Sequence, residues 1–311
     1  MKSQPLSVSD STLGTISRLV ERSYTDFVDI AKDIDWQMGV DRGRFPKRPE
    51  TCWLFGTAHW SKLSSTQQLD IAWLEIGRDV SMFIWLEQLI PPLFVGYVNR
   101  QEAALHPSVR DYLMIFCKEE ILHTLMFRKY LSLAGLPLFA PIPRLFELFE
   151  SRLPRLPPLH GIALTHIGET LAELGAMYNT DFPDVDPLTR KVIREHHREE
   201  ARHIAFGRLL IESQLENNPE EANKIRPLVE LFLTPLIEQY NYDIELQRWV
   251  AKGTPLPADG SPQIAVVRNS QNNRRLAQER FGSLFRWLQR WCLVSETYEW
   301  GMDSNVKNEE F

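Results

Sequence analysis

Cysteine is scarce in this sequence, with Cys52, Cys117 and Cys292 far apart and odd in number. No two of them share a metal-ligand spacing. That argues against a disulfide scaffold and against a cysteine-based zinc or iron–sulfur site. A reduced, cytoplasmic chain is the expectation. A basic surplus is missing as well. Lys and Arg number 35 against 41 Asp and Glu, for a formal net charge of -6. Nucleic acid and anionic membrane surfaces are therefore not expected partners. The opening MKSQPLSVSDSTLG has no basic segment followed by an apolar one, so no signal peptide is expected. Clean hydrophobic runs are missing too. The most apolar stretch, VSMFIWLEQLIPPLFVGYV, is interrupted by Glu87, Gln88, Pro91 and Pro92. A membrane span needs about 20 nearly unbroken apolar residues. The stretch reads as a buried helix.

Strand-turn-strand alternation is absent over any length, and helical periodicity dominates. A first helix is expected over about 9–36. A Pro- and Gly-rich ordered loop follows, DWQMGVDRGRFPKRPETCWLFGT. Ser64 or Ser65 caps the next helix, which is expected to run to Pro91. Pro107 opens another helix and Gly135 closes it near residue 134. Residues 135–158 are rich in proline and leave room only for a short helix. Helices are then expected at about 159–180, 186–216, 221–252 and 270–297, with a loop at KGTPLPADGSPQ and a frayed tail, DSNVKNEEF. Two long helical hairpins joined by a long crossover make an all-α, ferritin-like four-helix bundle. The chain is thus expected to be one domain over 1–311, with its core bundle at about 64–216 and flanking helices at both ends.

Glutamate and histidine recur in a pattern within this frame. KEEILH places Glu120 and His123 one turn apart on one helix face. HREEARH does the same for Glu200 and His203. A single such pair means little on a charged helix, but here the pairs repeat. Glu87 precedes Glu120 by 33 residues, and Glu169 precedes Glu200 by 31. One Glu from each of two helices and Glu-x-x-His from each of the other two is the ligand set of di-iron carboxylate bundles. Glu87 sits among core-type residues, where an unpaired carboxylate is costly. Four glutamates offset two divalent ions. Mixed carboxylate and imidazole donors suit iron, or manganese, better than zinc.

His196 lies seven residues before His203, within about 20° of the same helix face. A third nitrogen ligand is the preferred reading, against a core histidine or one that supports a ligand from behind. His197 is about a quarter-turn away. Glu75 is a rival to Glu87 but lies too far from Glu120 for a matched height. Glu173 is a rival to Glu169, one turn further along the same face, and Glu169 is preferred. His166 reads as a core or supporting residue. Glu119 and Glu199, each beside a ligand glutamate, either orient a histidine by hydrogen bonding or lie in solvent.

At these residues the chain resembles the p-aminobenzoate N-oxygenase type of non-haem di-iron oxygenases. The likeness rests on the doubled Glu…Glu-x-x-His with His196 four before Glu200. It extends to GTAHWSKLSSTQQLDIAWLE and WLEQLIPPLF and covers about residues 30–290. Glu119 and Glu199 depart from the more usual Asp. The resemblance implies iron ligands at Glu87, Glu120, His123, Glu169, His196, Glu200 and His203. It implies two Fe ions and dioxygen as co-substrate. The expected reaction is oxygen transfer to the nitrogen of a small or carrier-bound amine, giving hydroxylamine, nitroso or nitro products in secondary metabolism. The alternative is another di-iron oxidase or hydroxylase acting on a C–H bond. No flavin, nicotinamide or iron–sulfur motif is present, so electrons are expected from an external reductase or ferredoxin. Members of this family are often dimers, and a homodimer is the expectation. Phe127 stands where a ribonucleotide reductase small subunit carries its radical tyrosine, four after the first-motif histidine. Arg274, Arg275, Arg280, Arg286 and Arg290 on the last helix read as a solvated basic face, with a carboxylate anchor as the alternative. Trp53, Trp60, Trp73 and Trp85 read as aromatic packing.

Overall fold

A computed structural model describes residues 6, 8–100, 105–141, 143–241, 270–296 and 298. Eight α-helices and no strand occur among them. They are α1 (Asp10–Ser23), α2 (Ser65–Asn99), α3 (Pro107–Ala134), α4 (Pro143–Glu147), α5 (Pro158–Thr180), α6 (Pro187–Asn217), α7 (Glu221–Asn241) and α8 (Gln271–Arg290). The expected loop at 252–263, the end of the helix expected to 252 and the tail from Asp303 lie outside the described residues.

The helix ends follow from local chemistry. Ser64 and Gln67 form a capping box that opens α2. Pro107 occupies the first turn of α3, where its missing N–H costs nothing. Gly135 closes α3 in the left-handed conformation, φ 61°, which glycine adopts without strain. Asp186 caps α6 through the Thr189 amide at 2.8 Å.

Two boundaries differ from the sequence expectation. α1 stops at Ser23 rather than near 36, because the following amides are claimed by side chains. Val28 N–H donates to buried Glu199 Oε1 at 2.9 Å, and Ala31 N–H donates to Asp29 Oδ1 at 3.0 Å. α2 does not stop at Pro91 but runs to Asn99 with both prolines inside it. Pro91 removes the donor that would bond the Glu87 carbonyl. Burial of Leu93, Phe94 and Tyr97, with Tyr97 Oη donating to Leu153 O at 2.9 Å, holds the last turns.

α2 packs on α3 and α5 packs on α6 as two hairpins. α2 meets α5 and α3 meets α6 to close the bundle. The crossover between the hairpins carries α4, a π-helical turn (Leu148–Arg152) and a 3-10 turn (Leu153–Arg155). α1 covers α3 and α6, α8 covers α5, and α7 packs on α4, α5 and α6. This is the ferritin-like arrangement. α2 is long and apolar enough to cross a membrane by length and composition, and most of its apolar window is buried against the other helices. Two apolar clusters, one around Phe94, Phe116 and Phe206 and one around Phe83, Phe127 and Val192, fill the bundle. The glutamates and histidines lie between them.

Candidate metal centre

Each bundle helix contributes to one buried polar site. α3 brings Glu120 and His123, α6 brings His196, Glu200 and His203, α2 brings Glu87, and α5 brings Glu169. None of the seven side chains is more than 1% exposed. Donor atoms of Glu87, His123 and His196 lie within 4.8 Å of one another, and so do those of Glu120, Glu200 and His203. Glu169 stands outside both groups, but its charge couples to Glu200, Glu120 and Glu87. His196 therefore joins the His123 group although it shares a helix with His203.

Each imidazole is gripped from behind by a carboxylate. His123 Nε2 meets Glu199 Oε2 at 2.9 Å, and His203 Nε2 meets Glu119 Oε2 at 2.8 Å. The grip is crossed, since α6 holds the α3 histidine and α3 holds the α6 histidine. A proton on Nε2 donated outward leaves the Nδ1 lone pair facing the glutamates. His196 is turned the other way, with Nδ1 at 3.3 Å from Glu173 Oε2 and Nε2 at 3.1 Å from Glu87 Oε1. Glu173 also bonds His197 Nδ1 through its other oxygen.

These distances show where each residue singled out in the sequence is engaged. Glu119 and Glu199 are buried and orient histidines. Glu173 bonds His196, while both oxygens of Glu169 are buried without a hydrogen-bond partner. Glu75 is engaged elsewhere, by Lys47 Nζ at 2.9 Å and the Trp53 amide at 3.1 Å. His166 is buried beside Trp287, at 5.1 Å between ring centroids. Sequence reasoning missed Arg202. Its buried guanidinium lies 3.1 Å from Glu119 Oε1 and 3.5 Å from Glu199 Oε1, and serves both supporting carboxylates. The signal was present, since Arg202 follows Glu199 by one helical turn.

The site's electrostatics reflect crowding of acids in an apolar setting. Burial, followed by the neighbouring Glu200 charge, pushes Glu120 up to about 7. Burial raises Glu87, and it raises Glu169 well above the ordinary carboxylate range. Burial would raise Glu200 too, but His203 and His196 outweigh it and hold this carboxylate well below its usual value. Burial and His196 oppose protonation of His123, yet Glu199 and Glu200 carry it up to about 9. Metal-free, the cluster thus holds itself together with protons, which an incoming cation would displace.

The donor set fits metal ions. Both oxygens of Glu120 and of Glu169, Glu200 Oε2 and His123 Nδ1 are buried with no hydrogen-bond partner. His123 Nδ1 approaches Glu200 Oε1 at 3.2 Å, and His203 Nδ1 approaches Glu120 Oε1 at 2.9 Å. For His123 Nδ1 and for the Glu120 oxygens these approaches lie off the hydrogen-bonding direction. So many orphaned polar atoms in one buried place are expensive unless something binds them. Phe83 and Phe127 flank the His196 ring at 4.9 and 4.8 Å, and Phe116 stacks on His203 at 3.7 Å. These rings keep the donors dry.

The tryptophans pack away from the cluster. Trp73 Nε1 donates to Arg44 O at 3.0 Å, Trp85 Nε1 donates to Phe139 O at 2.7 Å, and Trp60 tilts against Phe55. On α8, Arg274, Arg286 and Arg290 are exposed and Arg275 pairs with Glu279 at 2.7 Å. Arg280 differs. It is part of the wall of a cavity of about 440 Å³ between α5, α6 and α8 that also touches Glu173 and His197.

No curated protein matches the chain. The family profile described as P-aminobenzoate N-oxygenase AurF matches residues 10–290. The matched span contains both Glu-x-x-His helices, their partner helices and His196. The chain, with its two buried carboxylate–histidine groups, therefore belongs to the p-aminobenzoate N-oxygenase AurF family of ferritin-like N-oxygenase enzymes.

Proposed function

We propose that this protein is a di-iron, dioxygen-dependent N-oxygenase that oxidises a small amine to a hydroxylamine and onward to nitroso or nitro products, in the cytoplasm. The convergence of orphaned buried donors at Glu120, Glu169, Glu200 and His123 carries this reading. Glu87, His123 and His196 would hold one ion, and Glu120, Glu200 and His203 the other. Glu169 would complete the set. Oxygen-rich ligation with three imidazoles suits iron, with manganese next. Two divalent ions balance the four carboxylates. When bound and reduced, the pair supplies the activation of dioxygen.

The protein's own share is orientation, dryness and access. Glu199, Glu119 and Glu173 fix the three imidazoles before metal arrives. Phe83, Phe116 and Phe127 shield the donors from water. The cavity between α5, α6 and α8 suits a small, largely apolar amine, with Leu174, Met177, Leu284 and Trp287 among its lining residues. Glu173 joins this cavity to the centre, because one of its oxygens bonds His197 and the other bonds His196. Arg280 Nε is buried without a hydrogen-bond partner, while the same guanidinium reaches Thr51 O at 3.3 Å. It can receive an anionic group at the far end of the amine. Electrons come from an external reductase or ferredoxin.

The test is turnover of the anaerobically Fe(II)-loaded protein with a reductant, isotope-labelled dioxygen and a broad amine panel. Labelled hydroxylamine, nitroso or nitro products are expected. Oxidation of C–H substrates with none of the amines would overturn the N-oxygenase reading.

A further inference from the structure

Most polar side chains lining the cavity between α5, α6 and α8 are committed to other partners. Thr170 Oγ1 donates to the His166 carbonyl at 2.7 Å. Trp287 Nε1 donates to Glu212 Oε1 at 2.7 Å, and Arg208 Nε donates to the same oxygen at 3.0 Å. Tyr178 bonds Glu279, and Glu173 spends its two oxygens on His196 and His197. Two lining residues keep a nitrogen free. One is Arg280, whose Nε has no hydrogen-bond partner. The other is His166, which is 5% exposed and whose ring nitrogens bond nothing among the described residues.

The two ring nitrogens of His166 are not equivalent. Nδ1 is enclosed over Gly207, where an added Cβ would lie 2.9 Å from it. No acceptor stands there. A buried N–H without an acceptor is a rarer defect than an acceptor left idle, so the proton belongs on Nε2. Burial, with the Arg208 charge acting in the same direction, lowers this imidazole to about 3 and keeps it neutral. The Trp287 ring meets it edge-on at 5.1 Å. Nε2–H is left to face the cavity as a neutral donor. His166 also stands one turn before Glu169 on α5, about 4.5 Å along the helix axis. A neutral donor beside the centre suits a ligand oxygen and disfavours an ammonium. An unreacted amine brings N–H donors of its own and a single lone pair. After oxygen transfer, the same nitrogen bears an oxygen, which is the better acceptor.

We propose that His166 Nε2–H holds the nitrogen-bound oxygen of the hydroxylamine, retaining the half-oxidised product in the cavity for the later rounds of oxidation. The proposal rests on the N-oxygenase reading. It makes His166 the residue that sets how far oxidation proceeds, while Arg280 anchors the far end of the ligand. Discrimination follows because a donor built for an oxygen stays unpaired when the ligand lacks one.

Isothermal titration calorimetry of the metal-free full chain with N-phenylhydroxylamine and with aniline tests the contact. The wild type should bind the hydroxylamine more tightly. His166→Leu should weaken hydroxylamine binding by roughly 3–10-fold, the worth of one hydrogen bond, and leave aniline binding within about twofold. His166→Gln, whose amide N–H takes the place of Nε2–H, should keep the preference, which a packing role alone would not produce. In the iron-loaded enzyme with reductant and dioxygen, His166→Leu should release more hydroxylamine and less nitroso and nitro product. A wild type without preference for the hydroxylamine overturns the proposal, and so does a His166→Leu variant with unchanged preference or unchanged product ratio. Absence of any N-oxygenated product from the wild type would instead sink the N-oxygenase reading, while the binding preference is read without turnover.

Discussion

Arg202 is the residue whose removal separates the support of the metal centre from the centre itself. It is 4% exposed and shared by Glu119 and Glu199, which are themselves buried. Its Nε also donates to Ser23 Oγ at 3.1 Å. Arg202→Met keeps the length and the apolar stem but strands two carboxylates. Breaking a buried ion pair by removing one partner costs about 3–5 kcal/mol. At about 2 cal/mol/K per residue of unfolding entropy, a chain of this size loses about 5–8 °C of Tm. The same change frees the outer nitrogens of His123 and His203 from well-oriented acceptors. Loss of such a supporting contact weakens metal binding by roughly 10–100-fold. Scanning calorimetry of the metal-free protein and anaerobic Fe(II) titration read the two effects separately. Arg202→Lys should recover only part of both, because one ammonium cannot serve two carboxylates as a planar guanidinium does. A metal-free Arg202→Met protein that melts within about 1 °C of wild type and binds iron equally well would refute this assignment.

Other perturbations have signs set by the same contacts. Glu169→Leu should raise the metal-free Tm, since it removes two buried unpartnered oxygens that cost about 1–3 kcal/mol, yet lower the metal content; calorimetry and elemental analysis on one preparation check both. Gly161→Ala should destabilise by about 1–3 kcal/mol, because a Cβ there would lie 2.0 Å from Tyr97 Oη, and denaturant unfolding measures it. His166, which burial lowers to about 3, stays neutral in the folded protein while its unfolded counterpart takes up a proton below its ordinary value of 6.5. Its contribution is therefore intact above pH 6.5 and lost as pH falls toward 3, by about 1.4 kcal/mol per pH unit within that window. Metal-free His166→Gln should lack this part of the acid sensitivity when melting curves are compared from pH 7 to pH 4.

The helical frame was legible because caps and prolines act locally. Ser64, Pro107 and Gly135 each do at their helix ends what their residue types favour. The end of α1 was not legible, because the Val28 amide is captured by Glu199, a residue 171 positions away. The passage of α2 through Pro91 was hidden for a related reason, since tertiary burial of Phe94 and Tyr97 outweighs a lost backbone bond. In the site, spacing singled out the glutamates and histidines of the two buried donor groups, Glu87, His123 and His196 and Glu120, Glu200 and His203. It could not say that Glu173 serves His196, that Glu119 and Glu199 cross between helices, or that Arg202 holds both. Those are contacts between helices, and one-dimensional periodicity reports only the faces of a single helix.

Metal content per chain, by elemental analysis after anaerobic Fe(II) loading, is the most direct measurement for wild type and His196→Ala. Four buried glutamates with three imidazoles predict about two irons in the wild type and fewer in His196→Ala. Absence of bound iron in the wild type after such loading would contradict the di-iron reading and leave the orphaned donors without a ligand.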